Sequence, residues 1–475
     1  MEHWHDGIDL SFAGHPKPDL RHREDPILIE SERRLIPPRA VTVSTTTTNE
    51  LRALDKAHLW HPFTQMQGWC APDHDPLIIA RGEGAFLWDS EGNRYLDGNS
   101  SIWTNIHGHH HPVIDAAIRD QLEKMAHCSA LGFTNEPAIR LAKALVDCFP
   151  ADTLARVFFT DDGSTAMECA CKMALQYWQL TGIPERHRFV AFDQAYHGDT
   201  AGAASLGGIG TFHERFQKTG FDVLHVPDVA ALRELPPETV KTLAGIAIEP
   251  LIQGAAGMRL WPAGMLRELR DWCDETGVLL IFDEVMTGFG RTGKLFACQH
   301  EKVIPDFLAL AKGLTGGYLP LAATLTHERI FSAFLGTIEE QKTFYYGHSY
   351  CANPLACAAA LASLSLFETD HTLLSLGPKR VQLADSLSRH FGAHPNVSDI
   401  RQLGLIAAID IVGENGEAFP WADLTGAKIC LAARKHGILT RPVLDTLVFM
   451  PPMCVTETEI DQGISALARA VADLV

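Results

Sequence analysis

The stretch that most limits what this 475-residue chain can become is residues 278–317, VLLIFDEVMTGFGRTGKLFACQHEKVIPDFLALAKGLTGG. An apolar run of strand length, 278–282, ends on a carboxylate, Asp283. A second run, 307–311, ends on an amine, Lys312, with glycines behind it. In an α/β sheet, ligands bind outside the carboxyl ends of the strands. An acid ending one buried strand and an amine ending another can therefore converge on one small molecule. A lysine so placed can form a Schiff base, and an aspartate so placed can face a heterocyclic ring nitrogen.

The surrounding chain predicts such a sheet. Strands expected at 157–160, 189–192, 244–248, 278–282 and 307–311 alternate with helices at 164–180 and 264–276. That alternation implies a mostly parallel, doubly wound α/β sheet flanked by helices. Upstream, a short helix near 51–58 ends at the turn His61-Pro62-Phe63, and residues 84–97 read as a hairpin. Helices follow at 112–125, with Val113, Ala116, Ala117 and Leu122 as the expected apolar face, and at 136–148, with Ile139, Leu141, Ala144 and Leu145. Downstream, 354–367 is a long Ala/Leu-rich helix. A strand at 404–411, a helix at 426–436, a strand at 447–450 and a last helix from 457 then suggest an α+β part. The expected division is an extended or disordered arm at 1–48, an N-terminal segment of a small domain at 49–104, a large domain at 105–370, and the rest of the small domain at 371–475.

Charge and cysteine usage narrow the setting. Forty basic against 58 acidic side chains leave −18, which argues against nucleic acid or a polybasic membrane contact. Eleven scattered cysteines show no CxxC pair and no zinc-finger spacing, so reduced thiols and a cytoplasmic setting are expected. The first residues lack a basic start followed by an apolar run, so no secretory signal is expected, and no apolar run reaches membrane-spanning length.

Several further groups could serve a ligand, and each has an ordinary structural alternative. Asp161-Asp162-Gly163-Ser164-Thr165 follows a strand and opens a helix. It can bind an anion through backbone N–H groups, or simply cap the helix with Ser164 or Thr165 and Glu168 as a capping box. Tyr196, in Tyr196-His197-Gly198-Asp199, can supply an aromatic face to a flat ring or serve only the turn. Glu249 and Gln253 follow the strand at 244–248 and can contact a ligand or pair within a loop. GFGRTGK at 288–294 matches a P-loop core, but Leu295 stands where its magnesium-binding hydroxyl belongs, so a glycine-permitted loop beside Asp283 is the better reading. His107, His109, His110 and His111 lack the carboxylate neighbours a zinc site often recruits and read as a turn before a helix. Arg441 is suited to clamp a carboxylate, or to sit at the surface.

Together these motifs resemble one family. From residue 52 onward the chain resembles class III, fold-type I pyridoxal 5'-phosphate (PLP) aminotransferases, whose class signature is IFDEVMTGFGRTG with ALAKGLTGG downstream. Within that class, HLWHPFTQM, DGNSSIWTNIHGHHHP, KMALQYW, YHGDTAGAASLG, GKLFACQHE, NPLACAAA and LTRP resemble the branch that aminates 8-amino-7-oxononanoate in biotin biosynthesis. The resemblance implies that Lys312 carries the cofactor and Asp283 partners its ring nitrogen, with Tyr196 and Val285 on its two faces. It puts Gly163 and Ser164 at the phosphate; Glu249 is expected on the cofactor side from its place at a strand end. Gly347, His348 and Ser349 would reach across a homodimer interface, Ser349 serving the partner's phosphate, so that the active sites are shared. Trp103, Phe63 and Gly347 would face substrate, and Arg441 would hold the keto acid's carboxylate.

Three positions depart from the branch's usual pattern. Phe63 replaces a tyrosine, Ile102-Trp103 replaces a tryptophan pair, and Val448 stands where a tyrosine is expected. These departures bear on the amino donor, for which the resemblance implies S-adenosylmethionine, with L-lysine as the alternative. Other readings are another class III ω-amino-acid or diamine:pyruvate transaminase, a PLP isomerase of the aminomutase kind, and a catalytically silent PLP-fold protein or a nucleotide-binding module on GFGRTGK. All partners implied are small molecules and a second copy of the chain.

Overall fold

The strands and helices implied by the sequence can be placed in a computed structural model, which describes residues 47–474. The arm expected at 1–48 lies outside the described residues apart from its last two. The chain divides into two units, one up to His74 and one from Asp75.

The first unit is organised by Asp55. The helix Thr48–His58 starts at a Thr47–Glu50 capping box, in which Glu50 N donates to Thr47 Oγ1 and Thr47 N donates to Glu50 Oε2 at 2.7 Å. No residue of that helix is buried, so packing alone does not hold it. Asp55 accepts from His61 Nε2 and Trp69 Nε1, each at 2.7 Å, and closes the HPF turn back on the helix. Phe63 sits in that turn at φ 49°, with its side chain exposed.

The second unit is built on a seven-stranded sheet. Its order is Leu154–Thr160, Ala322–His327, Phe307–Leu310, Leu279–Asp283, Leu243–Ile248, Arg188–Phe192 and Val223–Val226. Four neighbouring pairs are parallel, and the two involving Ala322–His327 are antiparallel. The fold is therefore the expected α/β type with a mostly parallel sheet, and the one reversed strand, Ala322–His327, was not anticipated. Leu243–Ile248 and Leu279–Asp283 are buried at every position, as parallel strands covered on both faces must be. The helix Gly163–Leu180 lays Ala166, Ala170 and Ala174 on Ala244, Ala247 and Ala309. Small residues at four-residue spacing let it sit close, which brings its N-terminus to the strands' carboxyl edge.

Two smaller sheets join distant parts of the chain. Ile79–Glu83, Phe86–Asp89 and Arg94–Asp97 form an antiparallel run, and Ile438–Leu439 pairs in parallel with Arg94–Asp97. Val397–Leu403, Ile406–Ile411 and Thr446–Phe449 form an antiparallel sheet. The smaller α+β part thus draws on both ends of the chain.

Helix existence was legible, but two faces were not. In Pro112–Lys124 the buried residues are Ile114 and Gln121, while Val113 and Leu122 are exposed. In Glu136–Val146, Ala138, Leu141 and Leu145 face inward and Ile139 is exposed. Both helices carry apolar residues on more than one side: periodicity misplaces the face of the first, while in the second it finds Leu141 and Leu145 and errs at Ile139. Among the described residues no helix is long and apolar enough to cross a membrane.

Candidate active site

Strand register explains why three charged side chains meet. Asp283 pairs with Ala309 on the neighbouring strand, and Phe282 pairs with Ile248. Glu249 follows Ile248 directly and Lys312 lies three residues past Ala309, so all three emerge at one sheet edge. They line a cavity of about 410 Å³ with Trp103, Gly163, Ser164, Tyr196, His197, Val285 and Tyr318.

Asp283 is buried and tightly held. Its Oδ2 lies 2.8 Å from His197 Nδ1, and its Oδ1 accepts Val285 N–H at 3.1 Å. His197 is buried too, and its Nε2 has no protein partner. Its place beside Tyr196 in one turn was the available signal, but only the tyrosine was singled out from the sequence.

Glu249 has a different task from a surface loop carboxylate. Its Oε1 accepts Tyr196 N–H at 3.0 Å and its Oε2 accepts Gly254 N–H at 2.9 Å. It thereby ties the Tyr196 turn to the loop after its own strand. Burial pushes its pKa up to about 7; nearby His197 pulls it down, Asp283 pushes it further up, and the two N–H donors pull it down. Gln253 faces away, donating to Asp193 O at 3.0 Å.

Lys312 sits at φ 45° just past its strand. Burial lowers its pKa, while the carboxylates of Asp283 and Glu249 oppose the shift. Its Nζ lies 4.9 Å from the centre of the Trp103 ring.

The opposite end of the cavity is a helix start. Asp162, rather than Ser164 or Thr165, caps Gly163–Leu180, with Thr165 completing the capping box. Glu168 instead accepts Gly202 N–H and pairs with Lys172. The first N–H groups of the helix have no intrahelical acceptor and suit an anion. Gly163 is needed for fit, since a Cβ there would come within 2.7 Å of Val285 Cγ1. Ser164 Oγ accepts Asp199 N–H at 3.1 Å, and Gly198, at φ 118°, leaves room for it. Tyr196 donates its hydroxyl to Asp199 at 2.6 Å; burial first, then Asp199, raises its pKa. An anion cradle, two flanking side chains, a held carboxylate and a buried amine fit a phosphorylated pyridine aldehyde.

Other expected residues lie outside this lining. Arg441 is exposed, between Ile438–Leu439 and Thr446–Phe449. Val443, two residues on, packs in the cluster that includes Trp103 and Met286. Val448 is fully buried in that cluster and does not reach the cavity. Ile102 is exposed. In this chain His348 N donates to Cys351 Sγ at 3.0 Å, Ser349 O accepts from His127 Nε2 at 2.9 Å, and Gly347 faces Leu131.

The two decoys resolve into scaffolding. Phe289, Gly290 and Gly293 of GFGRTGK take positive φ, and Arg291 is fully buried, donating to Pro451 O at 2.8 Å and Asn105 O at 2.6 Å. Burial lowers its pKa to about 9, against the opposing pull of Asp97. Lys294 turns away to Gln299 O. Against expectation the histidines do have carboxylate neighbours, but separate ones: His109 meets Asp97, His110 meets Asp115 and His111 lies 3.6 Å from Asp370, while His107 packs on Phe367.

Known proteins match this arrangement along most of the chain. The family model for aminotransferase class III matches residues 69–471. An adenosylmethionine-8-amino-7-oxononanoate aminotransferase from Geobacter sulfurreducens is 43% identical over 446 residues, 89% of this chain and 98% of the relative. One of the same name from Nitratidesulfovibrio vulgaris is 46% identical over 451 residues, 90% of this chain and 82% of the relative. The crystal structure of that enzyme from Methanocaldococcus jannaschii superposes with a TM-score of 0.87 at 39% identity, covering 90% of this chain and all of the other. A PLP-bound amine transaminase from an uncultivated Pseudomonas species gives 0.82 at 34% identity, covering 88% and 99%. The chain belongs to the class III aminotransferase family.

Proposed function

We propose that this protein is a PLP-dependent transaminase that aminates 8-amino-7-oxononanoate to 7,8-diaminononanoate, a step of biotin biosynthesis, with S-adenosylmethionine as amino donor. The observation that carries the chemistry is the meeting of Lys312, Asp283 and the Gly163 helix start in one cavity. The established names of the relatives support the substrate pair. All eleven cysteines are free thiols, in keeping with a cytoplasmic enzyme.

Bound there, pyridoxal phosphate would supply an electrophilic aldehyde for the donor nitrogen and a ring that takes up the electrons left when the donor carbon loses its proton. Lys312 Nζ would hold the aldehyde end of that group and is placed to carry a proton beside it. A buried amine with lowered basicity gives up a proton more readily than an exposed lysine. Asp283, fixed by His197 and Val285 N–H, keeps a proton on the ring nitrogen. Tyr196 and Val285 would flank the ring, and the Gly163–Ser164 N–H groups would take the phosphate. Arg441 binds the keto acid's carboxylate, and His348 and Ser349 serve the partner's site in a homodimer.

The test is formation of 7,8-diaminononanoate from 8-amino-7-oxononanoate, run in parallel with S-adenosylmethionine and L-lysine. Product with S-adenosylmethionine alone supports the reading as stated, and product with lysine alone corrects the donor. Turnover of pyruvate with an ω-amino acid, and none of the oxononanoate, would reject the substrate assignment.

A further inference from the structure

The residues that carry Trp103 to the cavity have an unusual backbone. Ser100, Ser101, Ile102 and Trp103 take φ of 46°, 50°, 65° and 67°, four consecutive non-glycine residues in the left-handed region. Each is disfavoured there because Cβ crowds the following carbonyl, and a β-branched residue such as Ile102 most of all. Strain of this kind persists only where surrounding bonds over-determine it, and it collects at functional sites.

The bonds that hold the turn converge on Asp97. Its buried carboxylate accepts Ser101 N–H at 3.1 Å, Ser101 Oγ–H at 3.1 Å and Asn99 N–H at 3.3 Å. Its Oδ2 also meets His109 Nε2 at 2.9 Å. His109 Nδ1 lies 3.1 Å from Asn105 Nδ2, an amide donor, so Nε2 carries the hydrogen given to Asp97. His109 is itself fixed, exchanging both backbone hydrogen bonds with Gly84 and lying against Gly82, where a Cβ would come within 2.7 Å of its ring. At the far end of the turn, the Trp103 indole donates to Asn99 Oδ1 at 2.7 Å, which sets the ring over Lys312 Nζ.

We propose that Asp97 and His109 are positioning residues for the transamination site. They clip the Ser100–Trp103 turn in its left-handed form so that the Trp103 indole covers Lys312. This rests on the reading of the cavity as a transaminase site. Neither residue touches the cavity, so both act through Trp103. If the network served only the fold, a relaxed turn would satisfy the same backbone groups without crowding four side chains.

The experiment is a double-mutant cycle on the holoenzyme with Asp97→Asn, Trp103→Leu and their combination. It reads the substrate KM, the pH titration of the visible cofactor absorbance and the melting temperature. Each single variant is expected to raise KM about tenfold to a hundredfold and to shift the absorbance titration by a similar amount, and the pair to do no more than either alone. Additive effects, or an Asp97→Asn protein with a lower melting temperature but unchanged KM and titration, would overturn the proposal. Ser101→Ala removes only one bond to Asp97, and the same effects in smaller measure are expected should Asp97→Asn fail to fold. Ile102→Gly tests the strain without the cofactor. Its melting temperature should rise while KM worsens, and a fall with KM unchanged counts against the clip. A wild-type protein without visible absorbance would sink the transaminase reading, and the Ile102→Gly melting temperature would still decide whether the turn is strained.

Discussion

The cavity is lined by two kinds of segment, built by different means. The end with Asp283, Glu249 and Lys312 rises from adjacent parallel strands, is buried, and has its carboxylates held by named donors. The part with Trp103, and outside the lining the segment of Arg441, rest on turns and loops, one of them strained and the other exposed. Rigid strand ends can hold one cofactor the same way in every member of a family, while loops can change with the substrate. On the proposed reading, the contrast assigns chemistry and specificity to parts of the chain with different tolerance to change.

The sharpest test of the strand-built end is Lys312→Ala. It should abolish turnover, by more than about a thousandfold, together with the visible absorbance of the purified protein. Normal turnover in that variant would remove Lys312 from the chemistry. Next comes His197→Gln, which weakens the hold on Asp283 without removing the carboxylate. A loss of about a hundredfold in kcat with KM little changed is expected, read by steady-state kinetics. If KM rose and kcat held, His197 would belong to substrate binding.

Glu249→Gln addresses the same end through stability. The folded pKa of Glu249 is about 7 against an ordinary 4.5, so between those values the folded protein keeps a proton that the unfolded chain gives up. Stability should therefore fall as pH rises from about 4.5 to about 7, by about 3 kcal/mol, and level off above. The amide variant should lose that part of the slope, although its NH2 facing Gly254 N–H lowers the melting temperature at every pH. Glu284, also raised to about 7 by burial, keeps its own share of the slope in the variant. A melting profile with unchanged slope would reject the assignment to Glu249.

The smallest expected effect belongs to the loop-built end. Arg441→Ala should raise the KM of the keto acid about tenfold and leave that of the donor nearly unchanged. Equal effects on both would show that the exposed arginine does not discriminate between them.

This contrast also marks what could be read from residues alone. The central strands were legible because buried parallel strands are short continuous apolar runs, and Asp283 and Lys312 end two of them. The fold class followed from the alternation with helices. Ala322–His327 was missed because AATLTH has small and polar residues where an apolar run is expected, its buried threonines bonding to backbone carbonyls instead. His197 was missed because its place beside Tyr196, the one signal available, does not reveal a partner 86 residues away. Val448 was expected at the substrate, but its strand turns it into the cluster behind Trp103. The left-handed turn could not be foreseen either, since Ser-Ser-Ile-Trp has none of the glycines that usually announce positive φ.

Arg291 has a consequence for how the molecule assembles. Its guanidinium bridges carbonyls at residues 105 and 451, which the chain separates by most of its length. A buried cation with one of those oxygens absent would be left partly uncompensated, a costly state. During synthesis the segment beyond Trp103 therefore cannot reach its final bonding until the strand Thr446–Phe449 and the residues after it have been made and have docked. A chain cut short before residue 451 would leave that guanidinium without one of its two acceptors and would lack its C-terminal helix.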